Sequence, residues 1–109
     1  MRGYQKHHIV FKSQGGLDFD FNFAFLTPEQ HTGQEGVHNN REMDLKLKKE
    51  LQEKLILTFS EPSYSLNKII ELLGLKRKQA EKAFKRVACI GGEYRAEDII
   101  RRLMGGKLY

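Results

Sequence analysis

Two adjacent histidines, His7 and His8, open a short apolar run, and this pair constrains the fold more than any other feature of the sequence. Successive side chains of a β-strand point to opposite faces, so a strand here places one imidazole on each face. All four histidines lie in the first forty residues. The polar and turn-forming residues that follow the pair are Gly15, Gly16, Asn22, His31 and His38. This clustering predicts a polar site built on the N-terminal third of the chain.

The first 26 residues are predicted to form a two-stranded antiparallel ribbon. Residues 4–11 show the pattern of a strand, and the Gly15-Gly16 pair allows a turn. From Asp18 onward polar and aromatic residues alternate, which predicts an extended segment with one buried face. The residues of that face are Phe19, Phe21, Phe23 and Phe25. An isolated ribbon is only marginally stable, so we expect a helix to cover these rings.

Helices are predicted over most of the remaining chain. Thr27-Pro28-Glu29-Gln30 has the form of a capping box with proline at the first helical position, which places His31 in the first turn. A second helix is expected from Asn39 or Asn40 to about Thr58, followed by a joint at Glu61-Pro62. Beyond it we expect short helices. One is predicted over Leu66–Leu73, with Ser65 as its N-cap and Gly74 as its C-cap. A basic one is expected from Lys76 to Ala88, in a helix-turn-helix-like arrangement or an ordinary α-hairpin. The predicted fold is α+β, with a unit over 1–58 and a basic helical extension over 59–109.

Charge is divided unevenly between these two segments. Residues 1–40 carry three basic and four acidic side chains, whereas residues 41–109 carry sixteen basic and ten acidic ones. A basic helical segment beside a nearly neutral histidine-rich one indicates a polyanionic partner, although a solvated basic surface would look the same. The nucleic-acid contacts that this predicts are Lys12, Lys76, Arg77, Lys78, Lys82, Lys85 and Arg86.

Composition excludes several other classes of protein. Cys89 is the single cysteine, so neither an internal disulfide nor a four-cysteine zinc site can form. No apolar stretch approaches the roughly 20 residues that span a bilayer, and no signal-peptide core is recognisable. We therefore expect a cytoplasmic protein without a membrane partner.

The N-terminal pattern resembles that of the HNH endonucleases, particularly small phage or prophage members. Their ββα-metal motif usually has Asp or His followed by His-Ile, then a Gly pair, then an Asn, and a His nine residues after that Asn. The matching residues here are His7, His8, Ile9, Gly15, Gly16, Asn22, Leu26 and His31. The resemblance covers about a third of the chain and implies a ββα-metal fold with DNA phosphodiester hydrolysis.

Site roles follow from the resemblance. It assigns His8 as the general base and Asn22 as the residue that holds the catalytic loop or the ring of His8. Metal binding falls to His7 and His31, with His38 as a further ligand or a phosphate contact. One divalent ion is implied, Mg²⁺ or Mn²⁺. His7 stands where aspartate is commoner in the family, which admits Zn²⁺ or Ni²⁺ as alternatives.

Two other functions fit the same sequence. One is a metal-containing DNA-binding protein that does not cleave, and the other is a nuclease that cleaves RNA. Within the cleavage hypothesis, a monomer would nick one strand and a homodimer would break both. Sequence specificity is not legible from these residues.

Overall fold

The computed structural model describes residues 5–26 and 41–109, and within them the fold is α+β. The described residues form two small antiparallel sheets of two strands each, together with four α-helices. In chain order the elements are β1 (Gln5–His8), β2 (Phe23–Leu26), α1 (Arg41–Thr58), β3 (Ser63–Ser65), α2 (Leu66–Leu73), α3 (Arg77–Ala83), β4 (Glu93–Arg95) and α4 (Ala96–Leu103). The segment at 27–40, which contains the predicted capping box, lies outside the described residues.

The N-terminal ribbon forms as expected, but its strands are shorter than predicted. β1 pairs with β2 in a register that sets His7 opposite Ala24 and His8 opposite Phe23. The predicted strand over 4–11 ends at His8, because a loop with two 3₁₀ turns, Lys12–Gln14 and Asp20–Asn22, begins just beyond it.

The prediction of a single buried phenylalanine face is wrong. Phe19 is 2% exposed and belongs to the core, whereas Phe21 and Phe25 are 36% and 65% exposed. The 3₁₀ turn at Asp20–Asn22 interrupts the extended backbone between them. Strict alternation of side chains requires an unbroken strand, so the turn separates Phe19 from the face that the later rings share.

Helix α1 runs to Thr58, where the sequence predicted its end. Its apolar stripe points inward: Leu51 and Leu55 are almost completely buried. Lys48 on the same helix is also buried, and its ammonium group lies 2.8 Å from both carboxylate oxygens of Asp44. This pairing, one turn apart, provides the counter-charge that a buried lysine requires.

The caps predicted for α2 are present, whereas α3 is shorter than predicted. Ser65 accepts a hydrogen bond from the Lys68 amide at the start of α2, and Gly74 ends it in the left-handed conformation. The basic helix expected to continue to Ala88 ends at Ala83. The Ala83 carbonyl, which would accept from residue 87 in a continuing helix, instead accepts from Arg102.

The second sheet was not predicted. β3 precedes α2 and β4 precedes α4, and the two strands pair with Tyr64 opposite Tyr94. Each strand has three residues, which is too short for alternation to be recognised in the sequence. The predicted joint near Glu61-Pro62 therefore leads into a strand rather than directly into a helix.

One hydrophobic cluster joins the N-terminal ribbon to the helical extension. It contains Ile9 and Val10 from the ribbon loop, Leu55 from α1, and Ile99 and Leu103 from α4. The division into units 1–58 and 59–109 stays a prediction, but buried side chains from both segments pack in this shared cluster. No helix in the described part of the chain is long and apolar enough to span a bilayer.

We predict that Asn22→Ala lowers the free energy of unfolding by about 3 kcal/mol. The Asn22 side chain is completely buried and makes three hydrogen bonds to the backbone of Val10 and Leu17, so the variant leaves buried polar groups without partners. Urea denaturation measures the change.

Asn67→Ala is the matched control, because that asparagine is exposed and its amide oxygen accepts a surface hydrogen bond from Arg77. We expect a change below about 1 kcal/mol for the control. A similarly small change for Asn22→Ala would contradict the structural role assigned to it.

Candidate functional site

The two histidines of β1 occupy different environments. His7 is 3% exposed, and its ring meets Phe11 edge-on with 5.3 Å between the ring centroids. The side chain of His8 is 26% exposed, and its ring lies 4.7 Å from that of Phe23 on the partner strand. Of the pair, His8 is therefore the imidazole that solvent and a substrate can reach.

His8 is paired with a carboxylate from the ribbon loop. Its Nε2 atom lies 2.7 Å from Oδ1 of Asp18. The hydrogen bond with His8, followed by that with Gln79, lowers the pKa of Asp18 well below its usual value of 3.8. An ionised carboxylate can only accept, so Nε2 must carry the proton and donate it. In the neutral ring, Nδ1 then holds the lone pair that can accept a proton from water.

Asp18 is itself fixed by groups from two other parts of the chain. Its second oxygen accepts from the Lys12 ammonium at 3.2 Å and from the side-chain amide of Gln79 at 3.0 Å. The Asp18 backbone amide donates to the side-chain oxygen Oε1 of Gln79 at 2.9 Å. Gln79 lies on α3, so the carboxylate that orients His8 is held by the helical extension as well as by its own loop.

Asn22 holds the loop that connects His8 to Asp18. Its side-chain oxygen accepts from the Val10 amide, and its side-chain nitrogen donates to the carbonyls of Val10 and Leu17. The loop closes tightly at Gly16, where an added Cβ would lie 1.8 Å from the Val10 carbonyl oxygen. Asn22 makes no hydrogen bond to the His8 ring within the described residues; its contacts are with the loop backbone.

The described residues do not by themselves make a metal site. Within 5–26 and 41–109, no group of three His, Cys, Asp or Glu side chains lies close enough to hold an ion. His7 is there, but His31 and His38, the other ligands that the resemblance implies, fall outside the described residues. We therefore derive no catalytic step through the ion.

The predicted nucleic-acid contacts are mostly solvated but not equivalent. Lys12 forms an ion pair with Asp18, so it belongs to the histidine site. Arg77 donates to Asn67 and lies 3.8 Å from Glu81. The other predicted contacts are exposed on or beside α3: Lys76, Lys78, Lys82, Lys85 and Arg86.

Sequence reasoning missed three residues that shape this region: Asp18, Gln79 and Arg102. The sequence pattern assigned Asp18 only to the polar face of a predicted strand. Its position ten residues after His8 was nevertheless a signal that it could pair with that histidine. Gln79 and Arg102 carried no such signal. Arg102 reaches the Gly15 carbonyl of the ribbon loop at 2.9 Å, a contact that only tertiary packing creates.

The pKa of Asp18 is lower in the folded protein than in the unfolded chain. Ionisation of Asp18 therefore stabilises the folded protein at pH values above the pKa that Asp18 has in the unfolded chain. That contribution is lost as the pH falls from about 5 towards the lowered pKa. Asp18→Asn is therefore expected to be less stable than the parent protein at pH 7, with the difference shrinking progressively toward pH 2. Urea denaturation at several pH values measures this difference.

Asp20→Asn serves as the control, because Asp20 is also exposed and lies in the same loop but has no ion pair among the described residues. Its effect is expected to be small at every pH. A difference between Asp18→Asn and the parent that is the same at pH 7 and pH 2 would contradict the ionised pairing with His8.

Comparison of the chain with protein-family models, with curated proteins and with solved structures gives no match.

Proposed function

We propose that this protein is a metal-dependent endonuclease of the HNH type that hydrolyses phosphodiester bonds of DNA. The observation that carries the proposal is the His8–Asp18 pair, in which an accessible imidazole is oriented by an ionised carboxylate. The resemblance of the surrounding sequence to the HNH motif supports the same chemistry.

In the proposed reaction, His8 is the general base. Nδ1 accepts a proton from a water molecule, and the water oxygen attacks phosphorus as the bond to the 3′-oxygen breaks. The products are a 5′-phosphate and a 3′-hydroxyl, whose oxygen takes up a proton from solvent. Imidazole suits this role because its unperturbed pKa of about 6.5 leaves it largely neutral near pH 7.

Asp18 is a positioning residue in this scheme. By accepting a hydrogen bond from Nε2–H, Asp18 fixes the tautomer in which Nδ1 is basic. Its negative charge also stabilises the imidazolium that forms when Nδ1 takes a proton from water. Lys12 and Gln79 hold the carboxylate in place, so the orientation of His8 depends on an ordered set of hydrogen bonds. Asn22 keeps the loop between His8 and Asp18 closed through its hydrogen bonds to the backbone of Val10 and Leu17.

The metal part of the proposal rests on the resemblance. His7 and His31 would hold one divalent ion, Mg²⁺ or Mn²⁺, with His38 as a further ligand. When bound, such an ion would supply positive charge to stabilise the departing oxygen. The chemistry of the donor set, imidazole without the usual aspartate, also favours Zn²⁺ or Ni²⁺.

We predict that His8→Ala reduces the cleavage of supercoiled plasmid by about 10²- to 10⁴-fold, the range associated with loss of a general base. Asp18→Asn should reduce it by about 10- to 100-fold, as expected when a residue that orients a catalytic group is lost. Gel assays with Mn²⁺ or Mg²⁺ measure both, and EDTA should abolish the activity of the parent protein.

Asp20→Asn is the control and should cleave at nearly the parental rate. Added imidazole should partly restore cleavage by His8→Ala if the missing group is a base. Full activity of His8→Ala would refute the proposed mechanism. Tight plasmid binding without cleavage by the parent protein would favour the non-catalytic DNA-binding alternative. Cleavage of RNA but not of DNA would show that RNA, and not DNA, is the substrate.

A further inference from the structure

A basic cleft lies on the helical extension, and neither Lys76 nor Lys78, at the N-terminal end of α3, lines it. Two adjoining surface pockets, of about 420 and 580 Å³, share Arg86, Val87 and Arg102 in their walls. We call this surface the arginine cleft. Its basic residues are Lys82, Lys85, Arg86, Arg95, Arg101 and Arg102.

Most of the positive charge of the arginine cleft is not neutralised by neighbouring carboxylates. At its rim, Arg95 pairs with Asp98 at 3.4 Å and Arg101 with Glu97 at 3.6 Å. Within the described residues, no carboxylate pairs with any of the other four cations of the cleft. Clustered cations without counter-charges produce a local positive potential that attracts polyanions.

Arg102 lies at the boundary of the two pockets and is only partly exposed. Its Nε donates to the Ala83 carbonyl and its Nη1 to the Gly15 carbonyl, so two of its five donors are occupied by neutral oxygens. Burial lowers the pKa of the Arg102 guanidinium, which reflects the cost of removing this cation from water without an anionic partner. An anion in the cleft would offset that cost.

Hydrogen bonds connect the arginine cleft to the loop that holds the histidine site. Arg102 holds the Gly15 carbonyl of the ribbon loop, and that loop continues to Asp18. On the α3 side, Gln79 bonds Asp18 and is followed one turn later by the cleft residue Lys82. A strand bound in the cleft would therefore lie against the same elements that position His8.

From these contacts we propose that the arginine cleft binds the phosphodiester backbone of duplex DNA and that the Lys76–Lys78 end of α3 does not. The choice of DNA rests on the proposed function. Contacts of this kind are to phosphates, so they hold the duplex without reading its sequence. The cleft is thus assigned as the surface that presents the substrate to His8.

The test compares two double variants that remove the same charge. Lys85→Gln/Arg86→Gln removes two exposed cations of the cleft, and Lys76→Gln/Lys78→Gln removes two exposed cations at the start of α3. Binding of a fluorescent 20-base-pair DNA duplex is followed by anisotropy in EDTA, over a range of salt concentrations. Circular dichroism and thermal melting confirm that both variants fold.

We expect the cleft variant to bind about tenfold more weakly at 0.1 M salt, and its log Kd–log salt slope to fall by about 2, one for each lost phosphate contact. The control variant should lose less than about threefold, because Lys76 and Lys78 line neither pocket and so contribute no phosphate contact in the proposed complex.

Equal losses in the two variants would overturn the proposal, since they would indicate a response to net charge alone. No loss in either would remove the cleft from binding, and tighter cleft-dependent binding of an RNA duplex would replace DNA as the ligand. Because this assay measures binding without metal or cleavage, it can fail while the nuclease proposal stands, and the reverse also holds.

Discussion

The buried side chain of Asn22 is the contact on which the N-terminal site depends. Its three hydrogen bonds fix the backbone at Val10 and at Leu17, which are the two ends of the loop between the histidine pair and Asp18. Because the loop is closed, His8 and Asp18, which are ten positions apart in the chain, meet with 2.7 Å between Nε2 and Oδ1. Without the amide, the same backbone groups would be buried without partners, and the loop would lose the hydrogen bonds that join Val10 to Leu17.

Tertiary packing adds a second constraint on the same loop. The side-chain amide of Gln79 on α3 binds Asp18 twice, with Oε1 accepting from the backbone amide and Nε2 donating to the carboxylate. Arg102 on α4 donates to the Gly15 carbonyl. The helical extension is therefore part of the support of the site. Arg102 also donates to the Ala83 carbonyl at the end of α3, so the same side chain joins α3, α4 and the ribbon loop.

Local signals in the sequence predicted the parts of the fold that depend on neighbouring residues. The Ser65 cap, the Gly74 terminus and the end of α1 at Thr58 follow from capping and periodicity. The second sheet could not be predicted, because three-residue strands leave no pattern. The buried phenylalanine face was wrong because alternation cannot reveal the 3₁₀ turn at Asp20–Asn22. In the site, the histidine pair and Asn22 stood out in the sequence, whereas Gln79 and Arg102, which reach the loop from the helical extension, did not.

The role of His8 as a base depends on which of its ring nitrogens carries the proton, and ¹⁵N NMR of the imidazole at pH 8 measures this tautomer directly. Long-range ¹H–¹⁵N correlations should show neutral His8 protonated at Nε2 and bare at Nδ1, with this preference weakened in Asp18→Asn. A ring protonated at Nδ1, or the same tautomer ratio in both proteins, would contradict the claim that Asp18 orients His8 as a base.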